Sequence, residues 1–244
     1  VKIKISIKEG FGLKKIGIIG AMEEEVAHLK EQMEDVQVKS KASMEFYKGM
    51  LNGKDVVVVR SGIGKVNAAV CTQILADDFQ VDGIINTGIA GSLKNEINIG
   101  DIVISTDALQ HDVDAREFGY PIGQIPRMEV LSFAADKVLV RQAEDSCKEM
   151  NPDISVFMGR IVSGDQFIAG GAVKKQIIDT FNGYCTEMEG AAIAQTAYLN
   201  KIPFVVIRAI SDKADDSASI DYPTFEKQAI LHSVRLVSHM VGKL

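Results

Sequence analysis

The sequence predicts a single α/β domain built on a mainly parallel sheet with helices packed against it. Three observations predict it. From residue 15 onward, short apolar runs of strand length alternate with segments of helical period, the order in which strand–helix–strand units build a parallel sheet. Some runs are apolar without alternation, as in Val56-Val57-Val58-Val59, which suits a strand covered on both faces. The length of 244 residues fits one large α/β domain, and no linker, repeat or low-complexity stretch divides it.

The elements follow in order. In the first residues Val1, Ile3, Ile5 and Ile7 alternate with Lys2, Lys4, Ser6 and Lys8 until Gly10 and Gly12 break the pattern. Residues 1–14 are expected to be an appended N-terminal extension without chemistry, leaving 15–244 as the domain. Lys15–Gly20 reads as the first strand and 22–33 as a helix. Residues 55–60 form a buried strand, and Ser61-Gly62-Ile63-Gly64 turns the chain into a helix over 65–75. Residues 83–87 are a buried strand ending in a glycine-rich turn, and 101–105 are another. A helix over 136–150 leads to a strand at 155–162, and a further helix starts near 172. A helix over 189–199 and a strand over 203–207 follow. The chain closes on a long amphipathic helix, where Ile230, Val234, Val237 and Val241 fall on one stripe.

Composition excludes several classes of function. The net charge is −6 and no Lys/Arg cluster stands out, so neither nucleic acid nor an anionic membrane is expected as a partner. Cys71, Cys147 and Cys185 are widely spaced, with no Cys-x-x-Cys, which argues against a disulfide framework or a zinc knuckle. His28, His111, His232 and His239 form no His-Glu-x-x-His. His232 and His239 are read as surface or packing residues. Neither a metal nor a cofactor is expected. No stretch approaches the roughly 18 apolar residues of a membrane span, no apolar signal-peptide core follows the N-terminus, and a reducing, cytoplasmic setting is expected.

The unusual residues gather at the ends of expected strands, where open α/β sheets bind ligands. After the first strand, Gly20-Ala21 runs into Met22-Glu23-Glu24-Glu25. A dinucleotide turn would need further glycines and would bring phosphate to a helix N-terminus; three carboxylates there disfavour phosphate. Acids in a first helical turn complement the dipole, the preferred reading for Glu23 and Glu24. Three consecutive helical residues cover most of a turn, so one can face a cleft, and the pattern leaves open which. Ser61-Gly62-Ile63-Gly64-Lys65 is composed like a phosphate loop, but Val66 stands where a magnesium-binding Ser/Thr would be. It reads as a tight turn in which Ile63 can face a ligand.

Four further segments carry paired readings. Asn86-Thr87-Gly88-Ile89-Ala90-Gly91-Ser92 is either a plain glycine turn or a place where backbone approaches a ligand. In Ser163-Gly164-Asp165-Gln166-Phe167-Ile168, Phe167 is either core or a surface on which a flat base stacks. In Thr186-Glu187-Met188-Glu189-Gly190, Glu189 is either a helix-start acid or a carboxylate that accepts two sugar hydroxyls. In Arg208-Ala209-Ile210-Ser211-Asp212, just past the last strand, Asp212 is either a loop or capping residue or a general acid. No Gly-x-Ser-x-Gly is present.

Taken together, six motifs occur in order: Gly-Ile-Ile-Gly-Ala-Met-Glu-Glu-Glu at 17–25, Ser-Gly-Ile-Gly-Lys-Val-Asn-Ala at 61–68, Asn-Thr-Gly-x-Ala-Gly at 86–91, Ser-Gly-Asp-x-Phe-Ile at 163–168, Glu-Met-Glu-Gly-Ala-Ala at 187–192 and Arg-Ala-Ile-Ser-Asp at 208–212. The chain closely resembles the 5′-methylthioadenosine/S-adenosylhomocysteine nucleosidases of the purine nucleoside phosphorylase superfamily, from about residue 15 to the end. The resemblance implies one domain with a central mixed sheet, a homodimer, and hydrolysis of the bond between adenine and a 5′-thio-substituted ribose, as in methionine salvage. It assigns Glu25 as the base that activates water and Asp212 as the acid that protonates adenine N7. It assigns Glu189 to the ribose hydroxyls, Met188 to the sugar face, Phe167 to stacking on adenine and the Ile168 backbone to the base edge. Gly91 falls in the small-residue loop, and Arg208 matches a residue that helps position the water. Met22, Ile63 and Tyr222 complete the expected substrate-binding set. Phe118 and Pro126 match positions that reach a neighbouring subunit's 5′-group pocket. Two residues depart from the pattern: Ile89 stands where some members carry serine, and Tyr222 near where phenylalanine is frequent.

The acid role implies that the site raises the pKa of Asp212, by burial or neighbouring carboxylates. Three competing readings remain. A phosphorylase of the same superfamily would want a cation in the first loop, where Glu23, Glu24 and Glu25 stand. A nucleosidase for a futalosine-type adenine nucleoside would share every motif. A non-catalytic nucleoside-binding protein would have lost an acid or a base, and both are present.

Overall fold

The computed structural model describes residues 12–244. Most of the expected N-terminal extension, residues 1–11, lies outside them. Strands β1 (Lys15–Gly20), β2 (Glu34–Lys41), β3 (Met44–Leu51), β4 (Lys54–Arg60), β5 (Gly83–Ser92), β6 (Ile102–Gln110), β7 (Phe133–Ala134), β8 (Val156–Ser163), β9 (Cys185–Glu187) and β10 (Phe204–Asp212) form one sheet. The helices are α1 (Glu23–Glu31), α2 (Lys65–Ile74), α3 (Lys137–Met150), α4 (Gly171–Phe181), α5 (Gly190–Asn200) and α6 (Ala218–Lys243).

The sheet runs β10-β6-β8-β9-β5-β1-β4-β3-β2, and β10 also pairs with β5, so β5, β9, β8, β6 and β10 close on themselves. Pairing is mixed. β1 runs parallel to β4 and β5, β5 to β10, and β8 to β6 and β9; the β2–β3–β4 meander, β5–β9 and β6–β10 are antiparallel. This is the single-domain mixed α/β architecture the resemblance implied. Helices α1, α3 and α6 cover one face, burying Val26, Leu29, Leu139 and Ala143 against Ile16, Ile18 and Val58. Ile230, Val234, Val237 and Val241, the stripe expected on the last helix, all lie in that layer. Helices α2 and α5 cover the other face through Ala68, Cys71, Ala191, Ile193 and Ala197. Asp136 caps α3, its carboxylate accepting from the Val138 and Leu139 amides at 2.9 and 3.0 Å. None of the helices in the described residues is long and apolar enough to cross a membrane.

Several expected boundaries move, and the moves matter for the site. The glycine-rich segment after residue 87 is not a turn: β5 continues through it to Ser92. It stays extended because β10 and β9 pair with its two edges, which place Asp212 and Thr186 opposite Gly91. Asp212 is accordingly the last residue of β10, not a loop residue beyond it. The β10–β5 register shifts between Ile210 and Asp212, a bulge of the kind that re-aims a side chain beside a site. The hairpin β2–β3 was not expected from the pattern. The helix after residue 65 runs on through a π-helical turn, Leu75–Phe79, and α6 starts before Pro223 and contains it.

Candidate active site

The C-terminal ends of β1, β5 and β10, with β9 and the start of α6, surround a cavity of about 610 Å³. Of the expected site residues, Met22, Glu25, Ile63, Gly91, Phe167, Met188, Glu189, Asp212 and Tyr222 line it. The structure chooses among the three glutamates: Glu23 and Glu24 point to solvent, Glu23 pairing with Lys30 at 2.8 Å, and Glu25 alone is buried, 5% exposed. Its Oε2 accepts from the Ala21 and Met22 amides at 2.6 and 2.9 Å, and its Oε1 from the Ile89 amide at 3.1 Å. Burial raises the Glu25 pKa, while Arg208 and the three amides pull against that rise.

Asp212, 2% exposed, is held from both sides. Its Oδ1 accepts from the Ala214 amide and its Oδ2 from the Ser211 hydroxyl, each at 2.8 Å. Burial, with Asp221 and Asp215 adding repulsion, raises its pKa against those bonds. That is the direction a general acid requires.

Both carboxylates rest on glycines of β5. A Cβ on Gly88 would lie 2.4 Å from Glu25 Oε1, and one on Gly91 would lie 2.7 Å from Asp212 Oδ1. The small residues at 88 and 91 therefore leave room for acidic side chains, a use the glycine pattern alone did not suggest.

Glu189 Oε1 accepts from the Gly64 amide at 2.7 Å, which leaves Oε2 without a bond among the described residues. Burial and the neighbouring Glu187 push its pKa up to about 8. Glu187 itself was not singled out from the sequence. Its carboxylate takes the Ser163 hydroxyl, the Glu189 and Gly190 amides, and the Arg208 guanidinium. Burial would raise its pKa, but Arg208, Ser163 and Gly190 hold it below the ordinary range. The alternation Glu-Met-Glu across the end of β9 was its only sequence signal.

Arg208, 2% exposed, is not part of the cavity wall. It lies behind the wall, donating to Glu187 and, at 2.6 Å, to Asn86 Oδ1. Its Nε is buried and has no partner among the described residues. The apolar wall comes from Met22, Ile63, Ile89, Phe167 and Tyr222. The Phe167 and Tyr222 rings meet edge to face, 5.8 Å between centroids. Phe167 is half exposed, so the reading of it as core falls. The Tyr222 hydroxyl lies 3.1 Å from Glu226 Oε1, to which it can donate, and 3.4 Å from Met22 Sδ. Ile168 is buried and lines a niche of about 30 Å³ with Gly91, Phe167 and Asp212. Thr186 Oγ1, on the cavity wall, is buried with no partner among the described residues. Phe118, 82% exposed, ends the 3₁₀ turn Arg116–Phe118, and Pro126 is exposed; neither lines this chain's cavity. Among the described residues no group of three or more His, Cys, Asp and Glu could hold a metal ion.

Comparison with known proteins places the chain in a family. The sequence model of the phosphorylase superfamily matches residues 15–242. The 5′-methylthioadenosine/S-adenosylhomocysteine nucleosidase of Staphylococcus carnosus (strain TM300) is 44% identical over 230 residues, 94% of this chain and 100% of the relative. The Neisseria meningitidis enzyme of the same name, solved with methylthio-immucillin-A, superposes with a TM-score of 0.92 at 42% identity, covering 95% of this chain and 100% of its own. The futalosine hydrolase of Helicobacter pylori superposes with a TM-score of 0.89 at 32% identity, covering 95% of this chain and 98% of its own. The chain belongs to the 5′-methylthioadenosine/S-adenosylhomocysteine nucleosidase family of the phosphorylase superfamily.

Proposed function

We propose that residues 15–244 form a nucleosidase domain that hydrolyses the N-glycosidic bond of 5′-methylthioadenosine and S-adenosylhomocysteine, releasing adenine and the 5′-thio-ribose. One observation carries the catalytic assignment: Glu25 and Asp212, both buried and both raised in pKa, line one cavity. Asp212 gives its proton to N7 as the bonding pair of the breaking C1′–N9 bond moves onto the base. Glu25 takes a proton from the water whose oxygen bonds to C1′. Carboxylates around the ribose stabilise the oxocarbenium-like charge between those events. Glu189 engages the ribose hydroxyls, Met188 the sugar face, Phe167 the adenine plane and the Ile168 backbone its edge. Arg208, with no place on the cavity wall, acts on Glu25 and Glu187 from behind.

The charge balance supports water over phosphate as the attacking group. Glu25, Glu187, Glu189 and Asp212 line the cavity, while Arg208 is already paired with Glu187. Among the described residues no Lys or Arg lines the cavity to receive a phosphate dianion, and the Glu25 carboxylate, ionised in this mechanism, would repel it. The test is adenine release from methylthioadenosine with and without phosphate. Equal rates are expected. Release only with phosphate would make the protein a phosphorylase, and no release from any 5′-thio or futalosine-type nucleoside would overturn the reading. Likeness to a futalosine hydrolase makes futalosine the second substrate to assay. In this reading the enzyme is cytoplasmic, serves methionine salvage and works as a homodimer, with exposed Phe118 and Pro126 reaching the partner's 5′ pocket. Sedimentation of wild type and Phe118→Ala, with KM for each, tests the last point.

A further inference from the structure

The segment Ser61-Gly62-Ile63-Gly64-Lys65, composed like a phosphate loop, has a use of a different kind. Two successive amides at the start of α2 bind carboxylates. Gly64 N–H donates to Glu189 Oε1 at 2.7 Å, and Lys65 N–H to Asp165 Oδ1 at 2.8 Å. Glu189 is the ribose carboxylate of the proposed reaction, and Asp165 stands two residues before Phe167 in the loop between β8 and α4. The start of α2 thus holds the sugar side and the base side of the cavity together.

The Lys65 side chain completes the arrangement. Its Nζ donates to Asp112 Oδ1 at 2.7 Å, and Asp112 Oδ2 accepts from the Asp165 amide at 3.0 Å. Lys65, Asp112 and Asp165 therefore form a closed ring of hydrogen bonds, two of them donated by backbone amides. The Lys65 and Asp112 side chains are each 19% exposed, enough shielding for a charge-assisted pair to hold its geometry. A second bond anchors the ammonium: Nζ donates to Gln110 Oε1 at 2.9 Å, and Gln110 donates to Gln195 of α5 at 2.6 Å. On the other side of the loop, Gly164 N–H reaches the Glu187 carbonyl at 3.1 Å. Between these two anchors the chain has little freedom before Phe167 and Ile168.

We propose that Lys65 is a positioning residue that fixes the Phe167–Ile168 loop against the ribose carboxylate through the Lys65–Asp112–Asp165 ring, and so sets affinity for the base. The proposal rests on the nucleosidase reading above. It predicts a division of labour. Glu25, on α1, and Asp212, at the end of β10, rest on glycines of β5 and have no bond to the ring, so loosening it weakens binding and leaves the chemical step alone.

The experiment compares wild type, Lys65→Met, Asp112→Asn and the double variant. Lys65→Met leaves the Asp112 carboxylate without its cation, held only by the Asp165 amide. The adenine inhibition constant and KM for methylthioadenosine should both rise about 10-fold, the value of one charge-assisted bond, with kcat within about two-fold. Hydrogen exchange at the amides of 164–167 should quicken. In the double variant the uncompensated Asp112 charge is gone while the side-chain oxygen introduced by Asp112→Asn can still accept from the Asp165 amide, and both affinity and exchange should return most of the way. An unchanged adenine constant with unchanged exchange would overturn the proposal. So would kcat and melting temperature falling together while adenine affinity holds. Should Lys65→Met fail to fold, Asp112→Leu opens the same ring and is read by the same two measurements. If wild type neither binds nor releases adenine, the nucleosidase reading fails, and the exchange data still report on the ring.

Discussion

A single methyl group on Gly88 should disable the enzyme without unfolding it. The added Cβ would lie 2.4 Å from Glu25 Oε1 and 3.0 Å from its Cδ, where ordinary contact begins at 3.4 Å. The carboxylate cannot swing aside freely, because the Ala21, Met22 and Ile89 amides hold it at 2.6, 2.9 and 3.1 Å. Relief requires Oε1 to retreat by about 1 Å, losing the Ile89 bond, and a displacement of that size at a reacting group costs about 100-fold in rate. Overpacking costs about 1–3 kcal/mol, of which about 0.5–1 kcal/mol is recovered by exchanging glycine for alanine within a strand. Gly88→Ala should therefore lose at most about 2.5 kcal/mol in urea unfolding and about 100-fold in kcat for adenine release, with KM little changed. Gly91→Ala should act likewise through Asp212, 2.7 Å from that Cβ. A Gly88→Ala enzyme with kcat within about three-fold of wild type would refute the claim that Glu25 is held at its working position by these contacts.

Asp212→Asn keeps its neighbours satisfied, since the amide oxygen can accept from Ala214 and the amide nitrogen donate to Ser211; adenine binding should persist while kcat falls about 100-fold or more. In wild type the same group sets the alkaline limb of the kcat/KM profile, because its raised pKa leaves it protonated at low pH and it loses the proton as pH rises. Glu189, pushed up to about 8 from 4.5, gives a stability signature of matching sign: its contribution is full below pH 4.5 and is lost as pH rises through 8. Glu189→Gln should therefore gain in melting temperature relative to wild type across that range, by about 3 °C or more, equivalent to about 1 kcal/mol in a chain this long. Arg208→Met strands the buried Glu187 charge and should cost about 3–5 kcal/mol in urea unfolding; adding Glu187→Leu should restore most of that stability but not activity.

Much of the fold was legible because its signals were local. The unbroken valines of β4, the strand β1 and the apolar stripe of α6 each have a pattern that only one element satisfies. The β2–β3 hairpin carries no such signal: every residue of β2 is exposed, so no buried face imposes alternation. Strand β5 was cut short at residue 87 because glycines suggest turns. What keeps it extended is pairing with β9 and β10, segments about 90 residues or more further along the chain. The site divided in the same way. The motifs placed Glu25, Asp212, Glu189 and Phe167 in one cavity. They could not show that Arg208 stands behind the wall, paired to Glu187, because both facts depend on how β9 and β10 meet.

The glycines of β5 also bear on how such an enzyme can change over time. The proposed acid and base rest on glycines three residues apart on one inner strand, about 10 Å of extended chain, paired with β10 along that stretch and with β9 at its end. Met22, Ile63 and Tyr222 belong instead to the entry of α1, the turn before α2 and the first turns of α6. Mutations can drift through those outer positions, altering which 5′ group is accepted, while the spacing of the two reacting groups is inherited unchanged. The chemistry and the choice of substrate can then evolve almost independently, the first confined to a few intolerant sites and the second spread over many permissive ones.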